Sequence, residues 1–335
     1  MIVGELNATL RRILSEDERV MILGEDLADP YGGAFKVTKG LSTLAPDRVL
    51  STPVSEGAIV GIAAGLALEG YRPIVEVMFA DFLTLTFDQV MNHITKYPAM
   101  YDHKVTCPVI IRSPAGGHRG YGPTHSQSPE KHFLGVPNLL VVALSPYHHP
   151  FEIYRQLLRR DEAVLFVEHK LLYPQPLAEP ADGRIGLALA HEHVTPTTLP
   201  TVSLSWVPPE QCTATVLAYG YSAFLAARVL EQLAIEDEIF AELVVPAQIA
   251  PLDLDPIQAS LERTGSLVTI EEGTAGWSWG TEVAAQLGRR QFGRLRRPID
   301  VVASEPAIIP ARTDHEGRML VGAEHIRRAV REAAA

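Results

Sequence analysis

The stretch VLSTPVSEGAIVGIAAGLALEGYRPIVEVMFADF, residues 49–82, indicates the fold class. Short apolar runs at 49–50 and 74–79 flank a segment of small residues, 57–69, which is long enough for a helix. Strands that are apolar along their whole length and are separated by helices are typical of a parallel sheet covered on both faces. The stretch therefore predicts an α/β fold.

The same alternation continues on both sides of this stretch. Other strands of the first series are predicted at 20–23, 109–111, 139–144 and 163–167, with helices at 6–15, 83–96, 128–134 and 150–160. A second series has strands at 214–218, 239–245, 267–271 and 299–302, with helices at 223–234, 256–262, 280–288 and 323–332.

The chain has 335 residues, which is long for a single hydrophobic core and favours two domains. Between the two series the pattern is lost in a segment rich in proline, threonine and alanine, as in an interdomain linker. We expect a first domain at 1–175, a linker at 176–210 and a second domain at 211–335.

The charge and the cysteines limit the class of protein. A formal net charge of −11 argues against nucleic acid as a partner, because phosphates require a basic surface. No apolar run approaches the roughly 20 residues that span a bilayer, and the first residues lack the features of a signal peptide. We therefore expect no membrane partner. Cys107 and Cys212 form no disulfide framework, so we expect a cytoplasmic protein.

Glu56 is the first candidate for a functional residue. It follows the strand at 49–50 and precedes a helix in which Gly57, Gly61 and Gly65 share one face, so another backbone could approach closely. The alternative is a first-turn carboxylate that only complements the helix dipole.

Two further stretches follow predicted strands. Phe79 and Phe82 stand with Asp81 at the end of one strand, where open α/β sheets bind ligands and where an aromatic ring could face a flat ligand; the alternative is that both rings are core. His125 lies in the glycine-rich loop GGHRGYGPTHSQ, residues 116–127, where a group for proton transfer would be well placed. The alternative is a surface loop with an ordinary histidine.

Other chemistry lacks a motif in this sequence. We find no zinc-type histidine or cysteine spacing, no GxSxG elbow, no Walker phosphate loop and no GxGxxG after a strand. We therefore expect no metal site in this chain itself.

The stretches above, taken in order, resemble one family. GED (24–26), YGGAFKVTKGL (31–41), TPVSE (52–56), GIAAGLALEGYRPIVEVMFADF (61–82), DQVMNHITKY (88–97), THSQS (124–128), VPAQIAPLDLDPI (245–257), SLVTIEEG (266–273) and SEPAIIPA (304–311) resemble the β subunit of the thiamine-diphosphate-dependent decarboxylase of 2-oxo acid dehydrogenases. The pyruvate, branched-chain and acetoin enzymes share this pattern. The resemblance implies a transketolase-like pyrimidine-binding domain and a transketolase C-terminal domain.

The resemblance also implies roles for four residues. Glu56 corresponds to the glutamate that hydrogen-bonds N1′ of the cofactor's aminopyrimidine and so activates it. Phe82 and Val54 correspond to residues beside that ring, and His125 to the active-site histidine. A protonated form of Glu56 would suit this role, and burial favours that form.

The family's cofactor and partners are implied in the same way. Thiamine diphosphate is held with Mg²⁺ on an α subunit that carries a GDG motif, and this chain has no GDG. The assembly is α2β2, a lipoyl acyltransferase accepts the acyl group, and the substrate is a small 2-oxo acid. Members also bind potassium through a backbone position that corresponds here to Arg160, where several have aspartate, so the sequence leaves a potassium site open.

Two other functions remain open. The chain could be half of a split transketolase-like or acyloin-forming enzyme, which would pass the same carbanion to an aldehyde. It could also be a noncatalytic interaction subunit that has kept the fold.

Overall fold

The computed structural model describes residues 1–178 and 180–335 and contains two seven-stranded sheets flanked by helices. The elements of the first part are α1 (Ile2–Glu16), β1 (Val20–Glu25), α2 (Leu41–Leu44), β2 (Val49–Thr52), α3 (Glu56–Leu68), β3 (Arg72–Glu76), α4 (Tyr97–Met100), β4 (Ile110–Ala115), β5 (Leu139–Ala143), α5 (Pro150–Leu157) and β6 (Ala163–His169). Those of the second are β7 (Arg184–Ile185), β8 (Ala188–His193), β9 (Thr201–Ser205), β10 (Ala214–Ala218), α6 (Gly220–Glu236), β11 (Ala241–Pro246), β12 (Gln248–Ala250), α7 (Asp255–Thr264), β13 (Leu267–Thr274), α8 (Trp279–Arg290), β14 (Asp300–Ser304), α9 (Thr313–Met319) and α10 (Ala323–Ala334).

The first sheet has the strand order β12-β5-β6-β4-β3-β1-β2. Its six strands from the first part are mutually parallel, and the seventh, β12, is antiparallel to β5. The central strands are buried along their whole length, as expected of a sheet covered on both faces. The carboxyl ends of the parallel strands therefore lie at one edge.

The second sheet has the order β14-β13-β10-β11-β9-β8-β7. Its first four strands are parallel, and β9, β8 and β7 continue it in antiparallel fashion. The predicted α/β class with mostly parallel sheets is confirmed. The three predicted domain bounds stay a prediction.

The two sheets share one apolar core. Val60 and Ala64 of α3 belong to the same buried cluster as Leu217 of β10 and Ile257 of α7. In addition, β12 lies beyond β11 in sequence but pairs with β5 of the first sheet. The two halves are thus joined by packing and by backbone hydrogen bonds.

The segment predicted as an interdomain linker, residues 176–210, contains strands that the sequence did not indicate. Residues 184–205 contain β7, β8 and β9, which extend the second sheet. The reason is that β9 has the sequence TVSLS and is wholly buried although three of its residues are polar. A strand of this composition gives no strong apolar signal.

The segment 83–96, predicted as one regular helix, is divided between two helices of other types. Residues Ala80–Thr86 form a 3-10 helix, and Gln89–Ile94 form a π-helix. Threonine hydroxyls bond nearby carbonyls here: Thr86 Oγ1 donates to Leu83 O at 2.7 Å and Thr95 Oγ1 to Val90 O at 2.8 Å. Such bonds compete with regular helical ones. The segment predicted as helical at 128–134 is a single 3-10 turn, Pro129–His132.

The glycine face of α3 packs in part against this segment. A Cβ on Gly57 would lie 3.2 Å from Leu85 O, whereas Gly65 has open space beside it. The first turn of α3 therefore lies next to residues 80–86. Among the described residues, no helix combines the length and apolar composition needed to cross a bilayer.

Candidate active site

Side chains from several strands collect at the carboxyl edge of the first sheet. Glu25 ends β1, Glu56 begins α3 after β2, and Phe79 follows β3. The loop 116–128 follows β4, and Lys170 follows β6. Because these strands are parallel and adjacent, the chain directs all five features to one edge, where open α/β sheets bind ligands.

Glu56 is paired with a second buried carboxyl group. Glu56 is 6% exposed and Glu25 is 7% exposed. Burial raises the pKa of Glu25, and the negative charge of Glu56 raises it further. Oε1 of Glu25 has no hydrogen-bond partner among the described residues. A buried acceptor of this kind usually requires a donor from a ligand or a water molecule.

Val54 lies two residues before Glu56, in the turn between β2 and α3. Its side chain is 79% exposed, unlike the buried carboxyl beside it. The turn thus places an apolar surface next to a buried acid.

Phe82 and His125 are brought together by the fold. The imidazole lies with its centroid 5.3 Å from the ring of Phe82 and 4.7 Å from that of Phe79, in both cases edge-on. Phe79 and Phe82 are half-buried, so neither ring is fully enclosed in the core. His125 Nδ1 lies 3.0 Å from the hydroxyl of Thr124.

The segment after His125 is fixed by Asp81. Its Oδ1 accepts hydrogen bonds from the backbone N–H of Gln127 at 3.3 Å and from Gln127 Nε2 at 2.8 Å. Glu76, the other carboxylate of this strand end, is bound by Arg112 inside the sheet and does not take part in the edge.

The two groups of predicted residues are adjacent but separate. Glu56 and Val54 lie at the start of α3, and Phe82 and His125 lie at the segment that α3 packs against. In the described part of the chain, no hydrogen bond or ring contact joins Glu56 to His125.

The second domain contributes a charged centre beneath the loop 116–128. Glu272 Oε2 lies 2.9 Å from His169 Nε2 and 3.6 Å from His118 Nε2. Burial alone would raise the pKa of Glu272, but His169, His118 and the N–H of Gly117 lower it to about 2. Glu272 is thus an anion at the domain junction.

Four residues at this edge were not predicted as functional from the sequence: Glu25, Lys170, Glu272 and Glu316, whose Oε2 accepts the N–H of Gly120. Glu25 lies in GED and Glu272 in SLVTIEEG, two of the stretches that carry the family resemblance. The signal that could have found Lys170 is its place directly after an apolar strand. Glu316 lies on α9, which has no apolar periodicity to predict it.

Comparison with known families agrees with this architecture. Residues 4–176 match the family described as "Transketolase, pyrimidine binding domain", and residues 207–326 match "Transketolase, C-terminal domain". The chain is 35% identical to the pyruvate dehydrogenase E1 component subunit beta of Leifsonia xyli, over 90% of this chain and 85% of the relative. The chain belongs to the β-subunit family of 2-oxo acid dehydrogenases.

Two other members of the family differ in the substrate that their names give. The acetoin:2,6-dichlorophenolindophenol oxidoreductase subunit beta of Cupriavidus necator is 31% identical, over 98% of this chain and 95% of its own. The 3-methyl-2-oxobutanoate dehydrogenase subunit beta of Mycobacterium tuberculosis is 32% identical, over 89% and 81%. Each is a subunit of a larger enzyme, and the predicted resemblance is confirmed.

A solved structure shows the same fold. The "Split gene transketolase, inactive beta4 tetramer" superposes with a TM-score of 0.73 at 20% identity, over 99% of this chain and 97% of that one. The transketolase-like fold predicted for this family member is confirmed.

The edge of the first sheet fits the aminopyrimidine end of the family's cofactor. The ring offers polar groups at its rim and apolar faces, and the edge offers the Glu25–Glu56 pair with an unpartnered oxygen beside exposed Val54 and half-buried Phe82. The described residues contain no group of three or more histidine, cysteine or acidic side chains that could hold a metal ion.

The backbone carbonyl of Arg160, to which the resemblance assigns a potassium ion, already has a hydrogen-bond donor. Arg72 donates a hydrogen bond from Nη1 to the backbone carbonyl of Arg160, and its Nη2 lies 2.9 Å from Asp161 Oδ1. A guanidinium thus already meets the carbonyl that would ligate the ion. The residues present do not fit a potassium ion at that carbonyl.

Proposed function

We propose that this chain is the β subunit of a thiamine-diphosphate-dependent 2-oxo acid dehydrogenase, an oxidoreductase that decarboxylates a small 2-oxo acid. Glu56 donates or accepts the proton at N1′ of the aminopyrimidine, while Val54 and Phe82 border the ring. When bound, the cofactor supplies a carbon nucleophile and an electron sink for decarboxylation.

One observation above all supports this proposal, the buried pair of Glu56 and Glu25. Both side chains are more than nine-tenths buried, and burial together with the charge of Glu56 raises the pKa of Glu25. The edge thus holds two buried carboxyl groups, and Glu25 Oε1 is free to bind a ligand donor in the described part of the chain.

His125 is the residue proposed for the substrate side. Its ring lies edge-on against Phe82, so a ligand bordered by Phe82 would lie within reach of the imidazole. We propose that it transfers a proton to or from the substrate oxygen during carbonyl addition and acyl transfer, the usual role of a histidine at such a site.

The remaining components come from partners. We propose an α subunit that holds the diphosphate and Mg²⁺, an α2β2 assembly with a second copy of this chain, and a lipoyl acyltransferase as acyl acceptor. The subunit names of the relatives support a multi-subunit enzyme. The cytoplasmic location stays a prediction.

The substrate is proposed only as a class. The names of the relatives cover pyruvate, acetoin and 3-methyl-2-oxobutanoate at 31–35% identity. An apolar pocket gains only about 1–3 kcal/mol for each methylene group of a substrate side chain, so small changes in a pocket suffice to alter the choice of 2-oxo acid.

The central test is Glu56→Gln in the complex assembled with the α subunit. We expect 2-oxo acid-dependent reduction of an artificial electron acceptor to fall at least about 100-fold, because the amide cannot exchange the proton. Glu69→Gln is the matched control, since Glu69 caps the exposed end of the same helix. Full activity of Glu56→Gln would refute the proposal and favour a noncatalytic subunit.

A second assay separates the other alternative. The assembled enzyme is given the same 2-oxo acid with either a lipoyl domain or an aldehyde as acceptor. Acylation of the lipoyl domain supports the dehydrogenase, whereas acyloin formation without lipoyl acylation supports the split transketolase-like enzyme.

A further inference from the structure

The loop 116–128 has little regular structure of its own. Gly116, Gly120 and Gly122 have φ between +68° and +91°, and His118 has φ +61°. Within the loop, Gly116 N–H bonds Gln127 O at 3.0 Å and His125 N–H bonds Gly122 O at 3.3 Å. Its conformation therefore depends on contacts from outside the loop.

Two carboxylates of the second domain hold the glycine end of the loop. Glu272 Oε1 accepts the N–H of Gly117 at 2.8 Å and the hydroxyl of Ser128 at 3.0 Å. Glu316 Oε2 accepts the N–H of Gly120 at 2.8 Å. Both carboxylates are buried, Glu316 completely. The loop is thus fixed at 117, 120 and 128 by side chains that lie at least 144 residues away in sequence.

The His125 end is held by Lys170. Lys170 is fully buried, and its Nζ donates a hydrogen bond to the carbonyl of His125 at 2.8 Å. The same ammonium lies 5.4 Å from the centre of the Phe79 ring, which in turn packs against the imidazole at 4.7 Å. Lys170 therefore contacts His125 directly at its backbone carbonyl and indirectly through the ring of Phe79.

Burial of the Lys170 ammonium group costs desolvation free energy. In the described residues Lys170 makes no ion pair within 4 Å, and burial lowers its pKa to about 8. A neutral side chain could fill the same space without desolvating an ammonium group. The ammonium does what such a side chain could not, because it binds the His125 carbonyl and faces the Phe79 ring at once.

We propose that Lys170 is a positioning residue for His125, acting on a loop whose other end is anchored by Glu272 and Glu316. The inference rests on the proposed role of His125 and deepens it, because it explains how a glycine-rich loop presents an imidazole in one place. A displacement of about 1 Å at a reacting group can cost about 100-fold in rate.

The test compares Lys170→Met with Lys131→Met in the assembled enzyme. Lys131 is the matched control because its Nζ also bonds backbone carbonyls across the domain junction, Thr274 O at 2.9 Å and Gly276 O at 3.1 Å, but not the His125 segment. We expect Lys170→Met to lower kcat about 100-fold with KM changed less than about threefold. Lys131→Met should keep kcat within about threefold, and Lys170→Arg, which keeps a donor, should recover most of the loss.

A spectroscopic measurement on the full chain separates this proposal from the role of His125. The Cε1–Hε1 resonance of His125, assigned by its loss in His125→Ala, should shift in Lys170→Met and stay in place in Lys131→Met. If His125→Ala keeps full activity while the resonance still shifts, the catalytic role of His125 fails and the positioning contact stands.

The inference is overturned if Lys170→Met leaves both kcat and the resonance as in the control. If Lys170→Met does not fold, Lys170→Gln takes its place, because its amide is neutral and too short to reach the carbonyl without moving the loop. The same loss in kcat is then expected, and wild-type kcat would refute the proposal.

Discussion

Arg112 and Glu168 form a two-point ion pair in the interior of the first sheet. Arg112 Nε lies 2.9 Å from Glu168 Oε1, and Nη2 lies 2.5 Å from Oε2, with both side chains at most 1% exposed. Arg112 also binds Glu76, which is 4% exposed. Two buried carboxyl groups thus depend on one guanidinium.

We expect Arg112→Met to lower the free energy of unfolding by about 3–5 kcal/mol, because it leaves two carboxyl groups buried without their cation. Urea unfolding followed by circular dichroism measures the change. Arg155→Met is the control, since Arg155 pairs with Glu152 at the surface, where such pairs contribute about 1 kcal/mol or less. Equal effects of the two changes would show that the buried network contributes little.

We expect the buried carboxyl group of Glu130 to lower the free energy of unfolding as the pH rises through neutrality. Burial raises the pKa of Glu130 from 4.5 to about 7, although Tyr219 donates a hydrogen bond to it at 2.7 Å. A raised pKa means that the folded state prefers the protonated acid. The stabilisation is full below about pH 4.5 and is lost as the pH rises through 7.

The expected size is up to about 3 kcal/mol between pH 4.5 and 8, from 1.36 kcal/mol per pKa unit. Urea unfolding of the wild type and of Glu130→Gln at several pH values isolates the contribution of Glu130 to the pH dependence of stability. A pH dependence that is the same in both proteins would contradict the prediction.

We expect the stabilisation that Glu272 provides to be lost at low pH, which is the opposite of the pH dependence expected for Glu130. The folded pKa of Glu272 is lowered from 4.5 to about 2, so its stabilisation is present above pH 4.5 and disappears as the pH falls towards 2. We expect Glu272→Gln to destabilise the protein by about 3 kcal/mol at pH 6 and by about 1.4 kcal/mol at pH 3. Thermal unfolding at the two pH values measures this, with the exposed Glu236→Gln as control. A cost independent of pH would point to packing instead.

We expect potassium ions to have no specific effect on the stability or the activity of this protein. Since the guanidinium of Arg72 bonds the carbonyl of Arg160, exchange of K⁺ for Na⁺ at constant ionic strength should leave Tm and activity unchanged. Arg72→Met should cost about 1–3 kcal/mol, because it leaves the carbonyl without its donor. A stabilisation of the wild type by K⁺ alone would show that an ion binds there after all.

The sequence predicted the elements whose signal is local. The strands β1, β5 and β6 contain apolar runs, and each can be located from its own residues. Glu56 could be selected because it stands between a predicted strand and a predicted helix, and His125 because its glycine-rich loop follows a predicted strand. The polar strand β9 could not be found, since its burial comes from neighbours that the sequence does not show.

The parts of the site that escaped prediction depend on distant contacts. Glu272 and Glu316 meet the loop of His125 from 155 and 196 residues away. No periodicity links such positions, because the contact exists only after the two sheets have packed. Lys170 is a different case, because its place directly after an apolar strand is visible in the sequence, whereas its complete burial is not.

The pairing of β12 with β5 constrains how this protein can be engineered. Gln248–Ala250 forms the outer strand of a sheet otherwise made from residues 20–169. A chimera that takes its catalytic half from one relative and its carboxyl-terminal half from another would import a foreign edge strand. A recombinant exchange of modules therefore needs crossover points on both sides of 248–250, so that this strand and the first sheet come from the same relative.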